Sequence, residues 1–158
     1  MESKNTVPLT IAIFGKRNVG KSALINLLSG QQTAIVSDIA GTTTDPVRKR
    51  MELMNVGVVT LVDTAGIDDT GIVGEKRVRK SLEMVKQADC ALLIIAGNNF
   101  DSYESNLILE FEKYELPYLI IHNKSDKETL NEKTKERILL LHKAEVIATS
   151  AIEPKQRD

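Results

Sequence analysis

The sequence predicts an α/β fold: a mostly parallel six-stranded sheet with one antiparallel edge strand and helices on both faces. Three observations predict it. Short apolar, β-branched runs alternate with longer amphipathic stretches along the chain. A loop of the form G-x-x-x-x-G-K-S, Gly15 to Ser22, lies between the first apolar run and the first helical one. Two later apolar runs end directly in polar segments, Asp63–Gly66 and Asn123–Asp126, at the sheet edge where open α/β folds bind ligands.

The elements follow in order. Leu9 to Phe14 reads as a buried strand, and Ala23 to Leu28 as a helix closed by Ser29-Gly30. Gln31 to Pro46 is polar and threonine-rich, so it reads as a long loop, a kind that is usually functional. Val47, Lys49, Met51 and Leu53 alternate with polar or exposed positions, which suggests a strand at the sheet edge. Gly57 turns the chain into a more buried strand, Val58 to Val62, giving an antiparallel hairpin. Thr64 to Gly74 holds three glycines and reads as a second flexible stretch. A helix from about Glu75 to Gln87 turns Val78, Leu82 and Val85 inward. Cys90 to Ala96 is a core strand, and Asp101 or Ser102 caps a helix running through Tyr114 with Leu107, Ile108 and Phe111 inside. Tyr118 to His122 is a strand, and Glu128 to Lys143 a helix with Ile138, Leu139 and Leu141 inside. Val146 to Thr149 is the last strand. Only eight residues follow Ser150, too few for a closing helix, so the expectation is the N-terminal part of a longer protein.

Composition sets the outer limits. A chain of 158 residues makes one domain with a sizeable core, here 1–158. A net charge of -1 provides no global field to recruit nucleic acid or an anionic membrane, so a nucleic-acid partner is not expected. Cys90 is the single cysteine; it rules out an internal disulfide and cannot alone hold zinc or an iron–sulfur cluster, and it reads as a core thiol. Residues 1–8 are polar and no apolar run reaches membrane-spanning length, which makes a cytoplasmic location the expectation. His122 reads as the end of a buried strand and His142 as a helix-surface residue.

The chemistry lies in three loops. Gly15 and Gly20 let the backbone turn its N–H groups inward, and with the next helix N-terminus these make a concave anion site. The loop residues Gly15, Asn18, Val19, Gly20, Lys21, Ser22 and Ala23 are the expected nucleotide contacts. Among them Lys21 neutralises the β- and γ-phosphates and the Ser22 hydroxyl ligates Mg2+. Asp63 can hold Mg2+ through a water, and the Gly66 N–H can reach the γ-phosphate. The Asp126 carboxylate can accept from guanine N1–H and the exocyclic amine, which adenine does not offer there. Asn123 reaches the other base edge, the Lys124 stem covers the face, and Thr149-Ser150-Ala151 supplies the Ala151 N–H to the guanine oxygen.

This set of motifs resembles the small GTPase fold and, more narrowly, the TrmE–Era–EngA group, over nearly all of residues 9–151. The resemblance implies a phosphate loop at 15–22, switch I at 31–46, switch II at 63–75 and base recognition at 123–126 and 149–151. Gly41-Thr42-Thr43-Thr44-Asp45 stands where the group carries G-T-T-x-D, which implies that Thr43 reaches Mg2+ when GTP is bound. Asn18 matches the asparagine that coordinates K+ in potassium-activated members. Ile67 stands where Ras-like proteins have their water-orienting glutamine, so water must be held otherwise. Glu75 lies about where the MnmE family keeps a water-orienting glutamate, with Asp68 and Asp69 as competitors and three solvated switch residues as the plain alternative.

Within the group, Ile35 to Val47, Met51 to Leu53 and Val59 to Asp69 resemble the HydF family, the maturation GTPases of FeFe-hydrogenase; MnmE and Der usually have arginine at the position of Thr44 and lack Pro46. That resemblance implies slow GTP hydrolysis as a switch, HydE, HydG and the hydrogenase HydA as partners, and a homodimer for the full-length protein. It also places the iron–sulfur domain outside this chain. The alternative is an RNA-associated GTPase of tRNA modification or ribosome assembly, resting on Arg48-Lys49-Arg50 and on Lys76-Arg77 with Arg79-Lys80. A nucleotide-binding module whose hydrolysis is incidental is the third reading.

Overall fold

The computed structural model describes residues 8–16, 19–30, 34–39, 47–53, 55–64, 75–142, 144 and 146–150. They form strands β1 (Leu9–Gly15), β2 (Ala34–Ile39), β3 (Val47–Leu53), β4 (Gly57–Asp63), β5 (Cys90–Ala96), β6 (Tyr118–Asn123) and β7 (Val146–Ala148). The helices are α1 (Lys21–Gly30), α2 (Glu75–Gln87), α3 (Ser102–Lys113) and α4 (Glu132–His142). The strands make one sheet in the order β2-β3-β4-β1-β5-β6-β7. Only β3 runs against the rest, pairing antiparallel with β2 and β4, so the α/β fold and its mostly parallel sheet are as expected.

The sheet alternates its side chains between two cores. Ile13, Val59, Leu61 and Ile94 pack on one face with Leu24, Ile25 and Leu27 of α1. Ala12, Phe14, Val62, Leu93, Ile95 and Ile120 pack on the other with Met84 and Val85 of α2, with Leu107, Ile108 and Phe111 of α3, and with Ile138 of α4. The Phe111 ring bridges Phe14 and Tyr118 at centroid distances of 5.2 Å and 5.5 Å, which ties α3 to β1 and β6. No helix among the described residues is long and apolar enough to cross a membrane.

Three local expectations are corrected. Within the stretch read as a loop, Ala34–Ile39 is a strand, and it rather than β3 forms the sheet edge. Its pairing with β3 shifts register between Ile35 and Ser37, and an edge strand joins by backbone hydrogen bonds that need no regular apolar period. In α4 only Thr134 and Ile138, one turn apart, are buried; Leu139 and Leu141 are exposed because the helix meets the sheet along that narrow stripe. His142 is not a surface residue: its ring packs 5.9 Å from Phe100, and its Nε2 lies 3.1 Å from the Ser105 hydroxyl.

Candidate nucleotide site at the sheet edge

β1 is flanked by β4 and β5, and α1 leaves it on one face while α2 follows β4 on the other. The crevice at the C-terminal ends of these strands is where such sheets bind ligands. Gly15 closes β1, and a Cβ there would stand 2.6 Å from the Ile94 carbonyl oxygen. Gly20 adopts φ +93°, a left-handed conformation, and a Cβ on it would collide with the Asn123 side chain. The Gly20 carbonyl then accepts from Leu24 N at 3.0 Å and starts α1. Lys21 is buried, and its ammonium donates to the Gly15 carbonyl and, at 3.1 Å, to that of Lys16.

Ser22 and Asp63 line one cleft of about 230 Å³ with Ile25, Asn26, Lys49 and Leu61. β4 is pinned beside it, since Thr64 donates to the Ile13 carbonyl by both its N–H (3.2 Å) and its hydroxyl (2.7 Å). A hydroxyl and a carboxylate on one wall fit a hard cation that takes oxygen ligands.

The segments expected to recognise the base are joined as closely. Asn123 Nδ2 donates to the Val19 carbonyl at 3.0 Å, bolting the end of β6 to the phosphate loop. Lys124 takes φ +56° and turns the chain. Ser125 donates to the Thr149 carbonyl by its N–H (3.1 Å) and hydroxyl (2.9 Å), while Thr149 N donates to the His122 carbonyl. Ser150 is fully buried, and its hydroxyl donates to Asp126 Oδ1 at 2.8 Å. Asp126 itself is exposed, so one carboxylate oxygen is oriented by the protein while the residue faces outward. His122, buried beneath, donates from Nε2 to the Gly97 carbonyl at 2.9 Å.

The structure therefore brings together Gly15, Val19, Gly20, Lys21 and Asn123, then Ser22 with Asp63, then Asp126 with Ser150. Ala23 is exposed on the first turn of α1 and Lys124 is half-buried. Asn18, Thr43, Gly66, Ile67, Asp68, Asp69 and Ala151 lie outside the described residues, and Glu75 opens α2.

Sequence reasoning passed over two features. Lys49 of β3 lines the Ser22–Asp63 cleft, which its strand alternation could not reveal. Lys16 lies 2.7 Å from Asp101 Oδ2 and 3.3 Å from Glu104 Oε1. Asp101 and Glu104 also form a capping box on α3, and D-x-x-E before an apolar run is a readable signal for that cap. Burial pushes the Glu104 carboxyl above its usual pKa even with Lys16 beside it. The hydrogen bond from Lys16 holds Asp101 below the usual range. Burial alone would lower the Lys16 ammonium, but its bond to Asp101 and the charge of Glu104 outweigh that and raise it.

Residues 10–124 match the model of the 50S ribosome-binding GTPase family. The chain belongs to that family. Its chemistry is therefore GTP hydrolysis, with GTP or GDP and Mg2+ as ligands. The chain is 39% identical over 154 residues to the tRNA modification GTPase MnmE of Mesoplasma florum, covering 96% of this chain and 33% of that protein. It is 43% identical over 122 residues to MnmE of Coxiella burnetii, covering 75% and 27%. Among solved structures it is similar to an Era variant of Aquifex aeolicus bound to GDP·AlF4−, with TM-score 0.65 and 27% identity over 90% of this chain and 51% of that one. The chain thus spans a third or less of the length of these MnmE relatives.

These relatives overturn the HydF assignment. The substitutions that suggested it, chiefly Thr44 and Pro46, are a few positions in one loop, outweighed by identity to MnmE along 154 residues. Hydrogenase maturation falls with it, as do HydE, HydG and HydA as partners. The expectation of no nucleic-acid partner is corrected too. The finding that overturns it is that these relatives are tRNA modification GTPases; net charge sums over the whole domain and says nothing of any one surface.

Proposed function

We propose that this chain is the GTP-binding and GTP-hydrolysing part of a tRNA modification GTPase of the MnmE type. The observation that carries the reading is the 39% identity to an MnmE across 96% of the chain. The geometry supports the nucleotide-binding part of that reading, since the two loops expected to grip the nucleotide meet through the bond from Asn123 to Val19.

The residues divide the work. Lys21, braced on the Gly15 and Lys16 carbonyls, offers its ammonium charge to the β- and γ-phosphate oxygens. Ser22, Asp63 and Thr43 would hold Mg2+, which would supply charge neutralisation to the phosphates. The Gly66 N–H would reach the γ-phosphate, so that the switch segments 31–46 and 63–75 would respond to its loss. Asp126, held by Ser150, accepts from guanine N1–H and its amine, with Asn123, Lys124 and the Ala151 N–H completing the base contacts. Glu75 orients the attacking water, with Asp68 and Asp69 as rivals for the role. Asn18 would hold a K+, which would add positive charge at the phosphates and make turnover potassium-stimulated; Asn18→Ala should then abolish any preference for K+ over Na+, and a surviving preference would place the cation elsewhere. The protein works in the cytoplasm, where its tRNA substrate is.

The test is the nucleoside profile of total tRNA, by mass spectrometry, from cells lacking the protein. The proposal expects at least one modified nucleoside to vanish and to return with the wild-type gene. An unchanged profile would sink it.

A further inference from the structure

Lys16 occupies an unspecified position of the phosphate-loop pattern, where phosphate binding demands no particular side chain. Its ammonium nevertheless meets Asp101 and Glu104 at 2.7 Å and 3.3 Å and lies 5.9 Å from the centre of the Tyr103 ring. All three partners stand at the N-terminus of α3. Glu104 is 1% exposed, and a carboxylate so deeply buried costs several kcal/mol, on the order of what an ion pair can offset, unless a cation and hydrogen bonds serve it. It receives both, from Lys16 and from Asp101 N at 2.8 Å. The carbonyl of the same Lys16 accepts from the ammonium of Lys21. One residue thus joins a buried carboxylate to the phosphate-binding lysine.

We propose that Glu104 is a positioning residue for the phosphate loop: through Lys16 it holds the Gly15–Lys16 backbone, and with it Lys21, in the arrangement that receives the phosphates. This rests on the reading of Gly15–Ser22 as the phosphate site. Preorganisation of this kind acts on GDP as well as on GTP, because both carry the β-phosphate that Lys21 reaches. It is uniform binding, which changes KM and leaves kcat alone.

The direction of the effect separates this role from simple electrostatics. Removing a negative charge near a phosphate site should by Coulomb's law alone tighten nucleotide binding. Loss of positioning should weaken it. Glu104→Gln makes the test clean, since its amide oxygen can still accept from Asp101 N and keep the cap while the charge is gone.

In the whole protein, Glu104→Gln should raise the GDP Kd and the GTP KM together by about tenfold, with kcat within about twofold of wild type. Lys16→Arg should retain wild-type affinity. Lys16→Met combined with Glu104→Gln should bind no more weakly than Glu104→Gln alone, since the two act as one unit. Unchanged or tighter GDP binding in Glu104→Gln overturns the proposal. So does a lowered Tm with unchanged affinity, which would leave Glu104 a helix cap only. If the wild-type protein bound no guanine nucleotide, the site reading would fail and this inference with it, an outcome visible before any variant is made.

Discussion

Asn123 donates a hydrogen bond to the Val19 carbonyl, and that bond joins the two segments proposed to grip opposite ends of a nucleotide. It depends on the absence of a side chain at Gly20, which sits at φ +93° against the Asn123 amide. Gly20→Ala adds a left-handed strain of about 1–3 kcal/mol and a collision with that amide. It should weaken GTP binding by at least about tenfold, read by equilibrium titration. Wild-type affinity would show that the contact is incidental. At this scale the motif residues were legible because their chemistry admits few substitutes. Lys16, Glu104 and Lys49 were not, because their roles come from partners distant in sequence: Lys16 and Glu104 are 88 positions apart, so no local pattern joins them.

At the scale of elements, α4 shows what periodicity can and cannot tell. Its leucines promised a broad inner face, yet Leu139, Leu140 and Leu141 are all exposed and α4 is held instead by Ile138 and by its last residue. His142 lies between Phe100 and Ser105, 3.9 Å from Glu112. Burial lowers its pKa below the ordinary 6.5, and Glu112 offsets only part of that. The unfolded chain therefore takes up a proton first, so this contribution to stability is complete above pH 6.5 and declines as pH falls below it. Urea unfolding at about pH 7.5 and pH 5.5 should show the wild type losing stability on acidification, and His142→Gln losing less. Equal losses in both would remove His142 as the cause. The strands buried on both faces, β1 and β5, were read from their apolar runs, as was the hairpin of β3 and β4 from Gly57. β2 was missed because its sequence, AIVSDI, has no two-residue alternation and is bracketed by polar residues.

At the scale of the whole molecule, alternating elements and one phosphate loop were enough to anticipate six of the seven strands of the sheet and the edge where the candidate site lies. Helices on both faces follow, with α1 on one and α2, α3 and α4 on the other. Which cellular process the switch serves was not legible in the same way. Fold and nucleotide chemistry are shared across the GTPase family, so neither discriminates among its members. Thr44 and Pro46 pointed to hydrogenase maturation, whereas 39% identity to an MnmE over 96% of the chain supports the proposed role in tRNA modification. The most direct test of the site that underlies every reading is the relative kcat/KM for GTP and XTP in the wild type and in Asp126→Asn. The wild type should prefer GTP, and the variant should lose about a hundredfold or more on GTP while gaining XTP, since the new amide can donate where the carboxylate could only accept. GTP turnover and affinity unchanged in Asp126→Asn would contradict it, and base recognition would have to lie elsewhere.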